Sequence, residues 1–330
     1  MFTNMKFSNL PKSFSRFLIV ALASGMWVVL PADVRAADLE QTGMGPPFAT
    51  PEEAVQALQT AAQSQDSAAL QKVFGPEFAK LLTGDRVEDS NNVAKFALAM
   101  SQGCSQVKEG EGQITLELGT NGWPMPIPLV KTNGQWQFDT AAGKEEIINR
   151  HIGRDELYAI GVCRAYVKAQ AQYAGQNQEQ GGAMQYAQKF LSTPGMKDGL
   201  YWPAKPGEAA SPLGYVVTGA VAEGYGHKIG TGAKPFYGYY FRVLTRQGDA
   251  APGGKMDYMD HGKLTKGFAL VAYPELWDGS GVMTFIVNQD GKVYQQNLGE
   301  KTAKIAGKMK EYNPDSGWTL EDDEGVVDGR

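Results

Sequence analysis

The sequence has few of the residues on which most catalytic sites depend. It contains three histidines and two cysteines in 330 residues, and it lacks the G-x-S-x-G pattern that presents a serine nucleophile. Asp257, Asp260 and His261 offer oxygen and nitrogen ligands for a metal, but Gly262 directly after them is more typical of a polar turn. We therefore expect no catalytic residue, no cofactor and no metal site.

Long apolar runs are missing after the first 30 residues, so no later segment has the roughly 20 apolar residues of a membrane helix. Residues 1–36 instead have the pattern of a cleavable signal peptide. Lys6, Lys12 and Arg16 precede an apolar run, and Val34-Arg35-Ala36 supplies the small residues that signal peptidase requires. We expect cleavage after Ala36, a periplasmic or secreted location, and no integral membrane segment in the mature protein.

The formal net charge is −5, and it becomes more negative by three when the predicted signal peptide, with four basic residues and one acidic residue, is removed. Such an acidic chain repels nucleic acid. We expect no nucleic acid as a partner. For an exported protein, the expected partner is another envelope protein or a glycan.

The remaining pattern predicts an α+β protein in two parts. The N-terminal part combines helices with a small antiparallel sheet, and the C-terminal part is mainly β. A polar stretch at 175–182 is the expected boundary. The predicted segments are an extended leader at 37–48, an N-terminal α+β domain at 49–182, a C-terminal β-rich domain at 183–320 and an acidic tail at 321–330.

Capping and turn residues predict several elements. Thr50, Pro51 and Glu53 form a capping box that starts a helix. Asn133-Gly134 and Asp290-Gly291 lie between alternating apolar residues, the pattern of tight hairpins. A helical period over 144–174 predicts a helix interrupted near Gly153, and a second, short helix is predicted at 183–191.

Cys104 and Cys163 are the only cysteines of the chain. In an oxidising compartment they can form a disulfide, which would close a loop of about 60 residues and stabilise the fold by about 4 kcal/mol. The alternative is two unpaired, buried thiols. We predict the disulfide.

Aromatic residues are dense in the glycine- and proline-rich segment after residue 200. Tyr201, Trp202, Tyr237 and Tyr239 are candidates for a binding surface, because flat side chains in irregular chain can stack on a sugar or on another protein. The alternative is that they fill the core of a part with little regular structure.

The chain resembles an uncharacterised bacterial exported family, domain of unknown function 2950, over about residues 48–318. The strings that carry the resemblance are W-P-M-P-I-P-L-V at 123–130, G-R-D-E-L at 153–157, D-G-L-Y-W-P at 198–203, G-Y-Y-F-R-V-L at 238–244 and S-G-V-M-T-F-I-V at 280–287. This resemblance implies an exported envelope protein, without a reaction, a ligand or a catalytic residue.

Two further likenesses concern the fold. The first half is similar to small α+β domains of the cystatin kind, and residues 267–294 are similar to the C-terminal sheet of type IV pilins. Together these observations predict a non-catalytic envelope protein that binds an envelope component or takes part in secretion or surface assembly. The alternative is a periplasmic hydrolase acting on a cell-wall or secreted substrate.

Overall fold

The computed structural model describes residues 43–82, 86–179, 183–204, 207–216 and 235–321. The predicted signal peptide with its cleavage site and almost all of the predicted acidic tail lie outside these residues. The described chain is a mixed α+β protein, as the sequence predicts. It divides into two compact units, Met1–Ile148 and Asn149–Arg330.

Unit 1 begins with helices and continues with a small antiparallel sheet. The sheet has the strand order β1-β2-β4-β5, and β3 pairs with β2. Its elements are α1 (Pro51–Gln63), α2 (Ser67–Phe74), a 3₁₀ helix (Pro76–Leu81), α3 (Arg86–Gln102), β1 (Cys104–Lys108), β2 (Gln113–Leu118), β3 (Trp123–Pro124), β4 (Leu129–Thr132), β5 (Gln135–Phe138) and the start of α4 (Thr140–Glu179).

The capping and turn residues of unit 1 have the predicted roles. The Thr50 hydroxyl accepts a hydrogen bond from the backbone N–H of Glu53 at 3.2 Å and so caps α1. Asn133 and Gly134 both have positive φ, at 53° and 83°, as a type I′ turn requires. These residues fix where α1 begins and how β4 and β5 pair.

The predicted leader is part of the sheet where the structure describes it. Backbone N–H groups of Gly45 and Phe48 donate to the carbonyls of Phe138 and Trp136, each at 2.8 Å. This stretch of the leader therefore continues the sheet beyond β5.

Unit 2 contains the rest of α4 and a five-stranded antiparallel sheet in the order β15-β13-β12-β11-β6. Shorter strands pair beside it. The elements are β6 (Tyr239–Leu244), β7 (Arg246–Gln247), β8 (Met256–Asp257), β9 (Met259–Asp260), β10 (Lys263–Leu264), β11 (Ala269–Pro274), β12 (Thr284–Asn288), β13 (Val293–Gln296), a 3₁₀ helix (Gly299–Lys301), α5 (Thr302–Ala306), β14 (Glu311–Tyr312) and β15 (Thr319–Leu320).

The core of unit 2 joins one face of α4 to the sheet. Ala159, Cys163 and Tyr166 of the helix are buried in the same cluster as β11 and β12, and the Tyr166 hydroxyl donates to the carbonyl of Ala269 at 3.2 Å. Every residue of β12 is buried, so both faces of this strand are covered.

The structure corrects three predictions about elements. Helix α4 continues through Gly153, where an added Cβ would meet open space. Residues 183–191 form no helix, because the backbone of Tyr186 pairs with Leu264 and the side chain of Gln170 binds the backbone of Ala187. The two units divide between 148 and 149 instead of at 182, because α4 beyond that point packs with the second sheet.

The predicted disulfide is wrong. Both cysteines are free thiols. Cys104 opens β1 and packs against the core of unit 1, whereas Cys163 is completely buried in the core of unit 2. Each cysteine thus packs with apolar neighbours of its own unit, Cys104 half-buried and Cys163 fully buried.

Within the described ranges, none of the helices is long and apolar enough to cross a bilayer.

Candidate binding cleft

A loop between β11 and β12, residues 275–283, is hydrogen-bonded to an acidic residue of α4. The Glu156 carboxylate accepts hydrogen bonds from the backbone N–H groups of Val282 and Met283, at 2.8 and 2.9 Å, through the same oxygen Oε1. Hydrogen bonds to a carboxylate are stronger than those between neutral groups. Glu156 therefore fixes one end of the loop to a long helix.

The turn before β6 holds the rest of the loop. The Ser280 hydroxyl donates to the carbonyl of Gly238 at 2.8 Å, and the same carbonyl accepts from the N–H of Glu275 at 2.8 Å. The Tyr239 hydroxyl donates to the carbonyl of Met283 at 2.9 Å. Both ends of the loop are consequently bonded to elements of the core.

Two glycines allow this close approach. Gly238 has φ +68°, a conformation that side chains disfavour, and a Cβ there would lie 2.7 Å from Cβ of Ser280. A Cβ on Gly281 would lie 2.1 Å from the hydroxyl oxygen of Tyr239. Since the ring of Tyr239 is fully buried, it has no room to move aside.

Residues of this loop and of the turn that leads into α5 line a cleft of about 390 Å³. The Trp277 indole N–H donates to Oδ1 of Asn297 at 3.0 Å, so the ring is tied to that turn. Leu276 is 65% exposed. The cleft is lined by Glu275, Leu276, Trp277, Glu300 and Ala303.

A histidine and a carboxylate lie close together on α4, near the turn that holds the loop. His151 Nε2 lies 3.2 Å from Oδ2 of Asp155, and Nδ1 of the same ring lies 2.6 Å from Nη2 of Arg154. In the neutral ring, Nδ1 accepts from Arg154, since a guanidinium only donates, and the Nε2 proton faces Asp155. Both ring nitrogens are therefore engaged.

Asp155 is 1% exposed. Its burial raises its pKa above the usual range of an aspartate, and this effect outweighs the lowering of that pKa by His151 and Arg154. The carboxylate thus lies where charge is costly, directly before Glu156, which binds the 275–283 loop.

A second, smaller groove of about 300 Å³ lies along the C-terminal part of α4. Its lining is mainly apolar and includes Val167, Ala171, Met184, Tyr186 and Phe268. It contains no charged side chain among its lining residues.

The predicted aromatic surface is not a surface. Tyr239 is 0% exposed, and Tyr237 and Trp202 are also buried, while Tyr201 is half-buried. The ring of Tyr237 stacks on that of Tyr158 with centroids 4.1 Å apart. These side chains fill the core because unit 2 packs much irregular chain around its sheet, which was the alternative left open by the sequence.

The candidate metal ligands are also engaged. Asp260 pairs with His261 at 3.2 Å and with Lys266 at 3.5 Å, and Asp257 accepts the N–H of Met259. Across the ranges that the structure describes, no three His, Cys, Asp or Glu side chains are grouped so that they could hold a metal ion.

Comparison with known proteins shows the family of the chain. A family model described as "Protein of unknown function (DUF2950)" matches residues 46–320, which covers both units. The chain belongs to this family. No curated protein and no solved structure matches it significantly.

In this DUF2950 protein, four cleft residues were not predicted from the sequence: Glu275, Leu276, Trp277 and Glu300. A signal was present, because P-E-L-W-D-G at 274–279 places two large apolar residues in a turn between two strongly apolar strands. Apolar residues in a turn either pack on the core, as Tyr237 does, or form a contact surface, as Leu276 does at 65% exposure.

Proposed function

We propose that this protein is an exported, non-catalytic binding protein of the bacterial envelope, and that it holds its partner in the cleft of unit 2. The observation that carries the proposal is the presentation of Leu276 and Trp277 on a loop bonded at both ends to core elements. A fixed loop loses little conformational entropy when it binds.

Export is supported by the sequence alone. The basic, apolar and small-residue regions of positions 1–36 are those of a signal peptide. An envelope location also suits the strong negative charge of the chain, since this charge disfavours nucleic acids as partners.

The non-catalytic character is supported by the histidines that the structure describes. His151 has both ring nitrogens engaged by Arg154 and Asp155 and is not among the residues that line the cleft. His261 is 92% exposed beside Asp260, outside the cleft. A general base needs to lie within hydrogen-bond reach of its substrate.

A periplasmic hydrolase is the second candidate, favoured by one observation. Glu275 and Glu300 line the same cleft, and many glycoside hydrolases use a pair of carboxyl groups for acid and base catalysis. Release of soluble fragments from purified cell wall, abolished by Glu275→Gln, would establish this function in place of the first.

The test of the binding function is photo-crosslinking in intact cells. A photoreactive residue at position 276 should give a discrete adduct with an envelope component, and the same residue at Leu98, which is 59% exposed in unit 1, should not. Trp277→Ala should remove the adduct at 276 without changing the amount of protein.

Mass spectrometry of the adduct then identifies the component. Equal labelling from both positions, or no adduct at 276, would overturn the proposal.

A further inference from the structure

We propose that the cleft recognises a basic side chain, lysine or arginine, of a polypeptide partner. This inference rests on the binding function proposed above and names the chemical group that the cleft holds. It follows from the charge of the lining, the aromatic ring and the apolar residues beside it.

The charge of the lining has one sign. Glu275 extends from the end of β11 and Glu300 from the 3₁₀ helix before α5, so two separate segments bring carboxylates to one cleft of about 390 Å³. None of the five lining residues is basic. The two carboxylates make the lining negative, and a cationic ligand complements this charge.

Trp277 adds a second feature that favours a cation. The face of a tryptophan ring attracts ammonium and guanidinium groups more strongly than other aromatic faces do. Here the hydrogen bond to Asn297 fixes the ring in the cleft before any ligand arrives.

Leu276 and Ala303 give the cleft an apolar surface that suits the stem of a basic side chain. Lysine and arginine carry their charge at the end of an apolar stem, and that stem gains from contact with apolar surface. A bare metal ion would use the two carboxylates but would gain nothing from Leu276 and Ala303. A neutral glycan would use the ring but would form no ion pair with the two carboxylates. A basic side chain uses all five lining residues.

The experiment compares two peptides that differ only in charge. The probes are acetyl-Gly-Leu-Arg-Leu-Gly-amide and the same peptide with citrulline, the neutral counterpart of arginine. The indole N–H signal of Trp277, assigned by its loss in Trp277→Phe, reports binding in NMR titrations of the mature protein.

We expect the arginine peptide to bind at least 10-fold more tightly than the citrulline peptide. Glu275→Gln and Glu300→Gln should each weaken arginine-peptide binding about 5-fold, because one of the two carboxylates is lost. The matched control is Asp249→Asn, which removes an exposed carboxylate outside the cleft and should change the affinity less than 2-fold. The melting temperatures of all three variants should stay unchanged.

Equal affinity for the two peptides, or no shift of the Trp277 signal with either peptide at 10 mM, would overturn this inference. So would equal weakening by Asp249→Asn and Glu275→Gln. In each of these cases an adduct from position 276 in cells would leave the binding function standing, whereas loss of that adduct would remove both proposals.

Discussion

The central strands of the two units are buried in different ways. In β2 of unit 1, Ile114, Leu116 and Leu118 are buried, and the residues between them are only half-buried. In β12 of unit 2, all five residues are buried. A strand with one covered face shows alternating hydrophobicity, whereas a strand covered on both faces gives a continuous apolar run.

Both units combine local polar contacts with contacts between distant segments. In unit 1, the cap of α1 joins residues three positions apart in the sequence. In unit 2, Glu156 binds residues 126 and 127 positions away, and Gln170 binds Ala187 across 17 positions. Unit 1 also has such distant contacts, since the buried Thr140 hydroxyl donates to the carbonyl of Phe74, 66 positions away.

The largest expected effect comes from truncating neighbouring residues of each central strand. In β12, Phe285→Ala and Ile286→Ala should both lower the free energy of unfolding, by about 3–5 and 2–5 kcal/mol, because both are fully buried on opposite faces. In β2, Leu116→Ala should cost about 2–5 kcal/mol, but Thr115→Ala about 1 kcal/mol or less. Urea denaturation measures all four values.

If Ile286→Ala or Phe285→Ala cost as little as Thr115→Ala, one face of β12 would be open to solvent. The contrast between the two units would then fail.

The next effect concerns the buried amide of Gln170, which both donates to and accepts from the backbone of Ala187 at 2.8 Å. Gln170→Ala should lower the free energy of unfolding by about 3 kcal/mol, because a buried group without its partner costs about 1–3 kcal/mol. Thr50→Ala, which removes a local cap, should cost only about 1 kcal/mol. Thermal or urea unfolding gives both numbers.

Gln188→Ala is the matched control for Gln170, since Gln188 also donates to a backbone carbonyl, that of Gly262, but in an exposed position. Its cost should stay within about 0.5 kcal/mol. A cost for Thr50→Ala equal to that of Gln170→Ala would contradict the difference drawn between local and distant contacts.

This difference also explains what could be predicted from the sequence. Thr50, Asn133-Gly134 and Asp290-Gly291 act on their own or neighbouring backbone, so their patterns located α1 and two hairpins correctly. The apolar run of β12 likewise identified a strand. Such signals are local, and they are complete in the sequence.

The wrong predictions concern residues whose exposure or backbone partners depend on segments distant in the sequence. Whether Tyr239 is exposed depends on α4 and the 275–283 loop, neither of which is adjacent in the chain. Residues 183–191 have a helical pattern, but their backbone finds partners in Gln170 and Leu264 instead. The cleft also joins two segments about 25 positions apart, so neither segment alone indicates a site.

A smaller effect is expected from pH. The pKa of Asp155 is raised by burial, so the folded protein keeps this proton to higher pH than the unfolded chain does. Its contribution to stability is therefore greatest at low pH and is lost as the pH rises above about 4, the usual pKa of an aspartate. Asp155→Asn removes this ionisation.

Urea unfolding from pH 4 to pH 7 should show the difference in unfolding free energy, variant minus wild type, rising with pH. The matched control in the same unit is Asp198→Asn. Hydrogen bonds from Lys189 and Thr193 lower the pKa of Asp198 to about 2, so its stabilisation is present above about 4 and is lost towards pH 2. A difference for Asp155→Asn that falls with pH would mean that His151 and Arg154 outweigh burial.

The smallest expected effect is that of reduction, which should leave the melting temperature unchanged because both cysteines are free. A disulfide closing about 60 residues would instead contribute about 4 kcal/mol, a change that calorimetry detects easily.

The two thiols should differ in reactivity. Cys104 is half-buried, whereas Cys163 is fully buried and its burial raises its pKa to about 12. An alkylating reagent should therefore modify one thiol in the folded protein and two in urea without reductant. Mass spectrometry that finds no reactive thiol in urea, together with a lower melting temperature after reduction, would restore the disulfide and join the two units covalently.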